Sequence, residues 1–289
     1  MNLLFDYTFR QVALGCAIFG LASGVIGCFA ILRRQGLLGD ALAHASLPGI
    51  CLAFLVAKSS SPAPLMAGAA ATGSVAAGLI QGLVKRAKVD EGSALAVMLT
   101  SFFGLGIVLL SFIQKSGDAT QAGLDKMIFG QAASITDEHV RVIAIVAAAV
   151  LLIVIALHKE MKLACFDPDF ASVQGLRIGL LNALMTAILV ASIVIGLNTV
   201  GVVLMSAMLV APGAAARQWS RSLTGMLWGA GAIGTGAGVS GAWVSMVYPN
   251  TPTGPAVVLS LAAIALSSIL FGRERGLIWV RMRQRKALA

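Results

Sequence analysis

Uncharged apolar runs follow one another along nearly the whole chain, each ended by a knot of charge or a turn signal. Residues 11–32, 59–84 and 92–114 carry no charged side chain, and 41–57 and 142–157 are shorter windows of the same kind. Residues 178–216 are charge-free throughout, long enough for two spans with a turn near Asn198. Residues 222–272 are also charge-free, but YPNTPTG (248–254) divides them, because a helix cannot continue through those prolines. A helix needs roughly 20 apolar residues to cross a bilayer. The pattern therefore predicts an all-α polytopic membrane bundle with nine spanning helices, or eight if one segment is re-entrant, forming a single domain over residues 1–289. The first run is longer than a signal-peptide core and its flanking charges mostly follow it, so it reads as a span.

Small residues recur four apart at Gly20/Gly24, Gly78/Gly82, Gly225/Gly229 and Gly234/Gly238. That spacing lets helix backbones approach closely in lipid. Four cysteines (16, 28, 51, 165) lie in or beside different spans, without metal-site spacing, and read as small core residues.

Composition agrees with the pattern: 58% of residues are hydrophobic and 11% charged, with mean hydropathy +0.91. A soluble domain carries about 25% charged residues. The net charge of +9 has a sided origin. Of 21 Lys and Arg, sixteen fall in the segments 33–38, 85–91, 158–177, 217–221 and 273–289, which alternate spans would place on one face. The remaining five are Arg10, Lys58, Lys115, Lys126 and Arg141. Basic loops stay in the cytoplasm. The expectation is a bacterial inner-membrane protein with its N-terminus outside and its C-terminus cytoplasmic. The charge calls for no nucleic acid; the basic tail suits anionic lipid headgroups.

Within this apolar background GDALAHASLPG (39–49) stands out. Asp40 and His44 are four apart, on one face of a helix. If that helix begins near Gly36, His44 lies about 12 Å along it. Ionisable groups at membrane depth are costly and point to function. An imidazole and a carboxylate suit Mn, Fe or Zn. The same pair could relay a proton, or Asp40 could only cap a helix starting at Ala41. Met205 and Met208 are soft thioethers on a candidate pathway helix, although methionine there more often packs. His139, beside Asp137 and Glu138, could meet an incoming cation or could simply begin a solvated helix.

The segment HKEMKLACFDPDFASVQGLR (158–177) reads as the longest inside loop between spans. Asp167 suits an N-cap, Pro168 the first helical position and Gly175 the C-terminal stop. Phe166, Phe170 and Val173 give this short helix an apolar stripe. It reads either as an interfacial helix or as a docking helix for a cytoplasmic partner.

Three stretches together resemble the membrane permease subunit of manganese/zinc/iron ABC importers of the ABC-3 type. They are RRQGLLGDALAHASLPG (33–49), FDPDFASVQGL (166–176) and VGVVLMSAMLVAPGAAAR (200–217). Pro212 is followed here by Gly213 where that family often has Ala. The resemblance implies a type II importer-like permease, with 158–177 as a cytoplasmic coupling loop. Phe166, Asp167, Phe170, Ala171, Val173 and Gly175 would then meet an ATPase. It further implies a second permease subunit, identical or paralogous, and a solute-binding protein that delivers the metal from outside. The loop 115–138, with GLDKMIFGQ (123–131), would seat that binding protein. No phosphate-binding loop of the G-x-x-x-x-G-K-S/T kind occurs, so the chain is not expected to be an enzyme. No permanent cofactor is expected; Mn, Zn or Fe would be cargo. The alternative is a proton- or ion-coupled secondary metal transporter working through Asp40 and His44.

Overall fold

The computed structural model describes residues 7–58, 61–115, 137–199, 201–248, 251–279 and 281. All regular structure in them is helical: α1 (Tyr7–Leu32), α2 (Gly36–Ala45), α3 (Leu47–Ala57), α4 (Pro62–Lys85), α5 (Glu91–Lys115), α6 (Asp137–Ala156), α7 (His158–Phe166), α8 (Pro168–Val173), α9 (Ile178–Thr199), α10 (Val202–Arg217), α11 (Leu223–Val247) and α12 (Thr253–Phe271). Seven segments are long and apolar enough to cross a membrane: α1, α2 with α3, α4, α5, α6, α9 and α12. α10, of 16 residues, and α11, of 25, add two further helices among the described residues, in keeping with the eight or nine spans that the charge-free runs predict. The segment 123–131 lies outside them.

Helix ends that the charge count assigns to one face do meet. Near the basic-poor face, Tyr7 and Gln11 of α1 both hydrogen-bond the Asp137 carboxylate at the start of α6. That bond, more than burial, raises the Tyr7 phenol above its ordinary pKa. At the basic face, Glu274 N–H donates to the Gln218 carbonyl at 3.0 Å, and Arg221 pairs with Glu274. These ties join the α10–α11 loop to the end of α12.

The bundle is built around α1. Cβ atoms placed on Gly20, Gly24 and Gly238 would lie 2.2, 2.5 and 2.5 Å from the carbonyl oxygens of Gly234, Ala230 and Cys16. The pairings run in opposite directions, so α1 and α11 are antiparallel with their backbones in contact. Helices in lipid gain little from hydrophobic exclusion and cohere through such close packing. On another side of α1, Gly27 fits against the Leu209 carbonyl of α10. Gly225 and Gly229 meet Ser220, Ser222 and Ala216. Gly78 and Gly82 of α4, by contrast, have no neighbouring atom of the described residues near their Cβ positions.

Two elements differ from the sequence expectation. The second span is bent: α2 ends at Ala45 and α3 resumes at Leu47, with Pro48 in its first turn. Pro48 has no N–H to donate to the preceding turn. The buried Ser46 hydroxyl adds a second donor, at 2.9 Å, to the Leu42 carbonyl, which already accepts the Ser46 N–H at 3.0 Å. Further on, 158–166 is not loop but the helix α7, which the run of charges in HKEMK hides from an apolar-pattern reading.

Candidate functional site

Asp40 and His44 sit on α2, and the turn before α2 sets its start. α1 ends with Arg34 at φ +60°. Gln35 N–H reaches the Ala30 carbonyl at 2.8 Å and Arg34 N–H the Ile31 carbonyl at 3.0 Å. This is the glycine-type Schellman closure with an arginine in the left-handed position. It splits the basic pair. Arg34 is exposed, whereas Arg33 turns inward and its Nη1 reaches the Met185 sulfur at 3.5 Å. Burial pulls the Arg33 guanidinium below its usual pKa, partly opposed by Cys165 and Glu91.

α2 then begins at Gly36, so Asp40 is inside the helix and is not its cap. His44 follows one turn later, about 12 Å from the helix start. The back of α2 is sealed: Leu38, Gly39, Ala41, Leu42, Ala43 and Ala45 are buried. Gly39 matters there, because a Cβ on it would lie 2.5 Å from Leu209 Cδ2 of α10. The front carries Leu37, Asp40 and His44, and it is only partly covered.

The His44 Nε2 and an Asp40 carboxylate oxygen are 3.6 Å apart. That is too long for a hydrogen bond. Two ligand atoms, each about 2.1 Å from one cation at a tetrahedral angle, are about 3.4 Å apart, so the gap matches a shared cation. The side chains are 18% and 34% exposed, so the pair is reachable. His44 Nδ1 is buried without a hydrogen-bond partner among the described residues. The ring is held by Phe103 of α5, edge to face, with centroids 4.9 Å apart. Phe103 was not legible as a site residue in sequence; an aromatic within an apolar run carries no signal of what it touches.

The other candidate donors lie elsewhere. Met205 and Met208 are fully buried in the core. The Met205 sulfur fills the space beside Gly196, next to Phe19. His139 and Glu138, with Met66 and Ser61, line a separate cavity of about 170 Å³ between α4, α6 and α9. Among the described residues no three His, Cys, Asp or Glu side chains gather as a ready metal cage. Cys16, Cys28 and Cys51 are buried and free, as core residues should be.

The 158–177 segment forms a rigid surface feature. Asp167 Oδ1 accepts from Phe170 N–H at 3.0 Å, and Pro168 opens α8. Gly175 sits at φ +85°. Its N–H reaches the Ser172 carbonyl at 3.0 Å, while Leu176 N–H reaches the Ala171 carbonyl at 3.1 Å, completing a Schellman stop. Ala171 is buried and anchors the helix; Phe166, Phe170 and Val173 are exposed, Val173 by 83%. Three exposed apolar side chains thus share a capped, two-helix platform at the surface.

The chain as a whole resembles known proteins. The chain is 44% identical over 286 residues to the zinc transport system membrane protein TroC of Treponema pallidum, covering 99% of this chain and 96% of that one. It is 43% identical over 268 residues to the manganese transport system membrane protein MntC of Bacillus subtilis, covering 93% of this chain and 62% of that longer protein. Its fold superposes on PsaBC from Streptococcus pneumoniae, solved in complex with Fab, with TM-score 0.85, 26% identity and coverage of 98% and 97%. The ABC 3 transport family model matches residues 5–272. That match takes in every membrane-crossing helix of the bundle, and the chain belongs to the ABC 3 transport family.

Proposed function

We propose that this chain is the permease subunit of an ATP-driven importer that carries a divalent transition metal, Mn, Zn or Fe, across a bacterial inner membrane into the cytoplasm. The observation that carries the reading is the Asp40–His44 pair. It lies at membrane depth, spaced for a cation and open on the side of α2 that its own chain leaves uncovered. A second copy, or a paralogue, set against that face would bring two more ligands. Two donors per subunit hold an ion without trapping it, as conduction requires. The basic face is the cytoplasmic one and carries the C-terminus. A separate ATPase docks there on Phe166, Phe170 and Val173, while a solute-binding protein supplies metal at the other face. Membership of an ABC family and the capped platform favour ATP coupling over a proton-coupled secondary carrier. Proteoliposomes holding this chain, its ATPase and its binding protein test the pathway. Asp40→Ala and His44→Ala should each abolish metal uptake while insertion and assembly persist. Wild-type rates in both would remove the assignment.

Docking has its own test. Burying each apolar side chain of the platform contributes roughly 1.5–3 kcal/mol. Phe170→Asp with Val173→Asp should therefore leave expression normal and abolish ATPase co-purification. Full pull-down with full transport would reduce α8 to an interfacial helix.

A further inference from the structure

A cavity of about 410 Å³ lies far from the Asp40–His44 pair, in a groove between α6 and α11. Both helices pack on α1 but diverge from one another, so α1 forms the floor of a wedge. Leu21 and Val25 line that floor, Leu151, Val154 and Ile155 one wall, and Leu227 with Gly231 the other. Ile155 and Trp228 are 72% and 77% exposed, so the wedge opens sideways, where the hydrocarbon of a bilayer would be. Gly231 keeps it wide; a Cβ there would already approach Leu21 Cδ1 to 3.3 Å.

The groove has one polar end. His158 and Thr224 line it there, and Trp228 flanks it. His158 opens α7 immediately after the α6 span, and Thr224 lies in the first turn of α11. An N–H and an O–H donor thus stand at the mouth. The exposed Lys159 is next in the chain, on the face that collects sixteen of the 21 basic residues. Apolar length, a donor-lined mouth and a basic rim match one molecule: an acyl chain tipped by an anionic phosphate. Basic pockets between spanning helices at the cytoplasmic face suit such headgroups, and tryptophan settles at that depth.

We propose that this groove is a binding site for an anionic phospholipid, one acyl chain lying on α1 and its phosphate meeting His158 and Thr224. Native mass spectrometry of the full chain in detergent tests it, with dioleoyl phosphatidylglycerol or dioleoyl phosphatidylcholine added in turn. The wild-type protein should retain phosphatidylglycerol in preference to phosphatidylcholine by roughly fivefold or more. Both lipids carry the phosphate, so combining His158→Leu with Thr224→Val should lower retention of both, whereas Lys159→Gln should erase the preference for the anionic one. Leu151→Trp, which fills the groove from the α6 wall and leaves the α1–α11 glycine contacts intact, should lower retention of both lipids. Equal retention of the two lipids by the wild-type protein would overturn the proposal. So would retention that the double substitution leaves unchanged.

Discussion

The seam between α1 and α11 and the face of α4 and α5 use the same residue pattern to opposite ends. Both carry glycines four apart or nearly so. Along the seam those glycines bring two backbones into contact, and 67% of the α1 span is buried. On α4 and α5, Gly78, Gly82 and Gly104 meet nothing among the described residues, and only 17% of the α5 span is buried. The first region is finished by the chain that encodes it. The second holds exposed Val97, Leu105, Val108 and Phe112, and it also holds Phe103, the ring that positions His44. A glycine pair thus records that something approaches closely, without recording what.

The comparison predicts a graded series of effects. Gly234→Leu should do most harm, because its Cβ would lie 2.1 Å from the Gly20 carbonyl oxygen and backbone cannot step aside. A loss of about 3 kcal/mol or more is expected, read as lowered thermal unfolding in detergent and poor recovery from membranes. A normal melting curve would mean that the seam is looser than described.

Phe103→Ala should act on the site more than on the fold. It removes an edge-to-face contact worth about 0.5–1.5 kcal/mol. Uptake in proteoliposomes should fall several-fold while the melting temperature moves little. Unchanged uptake would show that His44 holds its place without the ring.

Gly82→Leu should have the smallest effect on the isolated chain, within about 0.5 kcal/mol, because no atom of the described residues stands in the way. Thermal unfolding of the single subunit in detergent checks it. A strong destabilisation would erase the contrast between the two regions.

Much of the local geometry was legible because it depends on short-range spacing in an apolar background. Asp40 and His44 could be paired on one face because nothing else nearby is ionisable. The α8 platform could be bounded because Asp167, Pro168 and Gly175 each satisfy a specific backbone requirement, and the structure makes all three bonds or angles. Two features resisted. The charged run at 158–162 concealed α7, since a helix lying outside the apolar layer need not be apolar. The bend at Ser46 was signalled by Pro48, but whether a proline bends or ends a span depends on what re-satisfies the freed carbonyls.

Taken alone, the sequence determined the apolar helices, the placing of Asp40 and His44 on one helix face and the capped surface helix. Each follows from hydropathy, charge or backbone geometry within a few turns. Only the tertiary structure decided that Met205 and Met208 are buried in the core, that His139 lines a cavity His44 does not share, and that Phe103 packs on the imidazole. It alone separated the glycines that close the bundle from those left open. Those outcomes depend on contacts between helices far apart in the chain, and an apolar surface alone does not specify which neighbour will cover it.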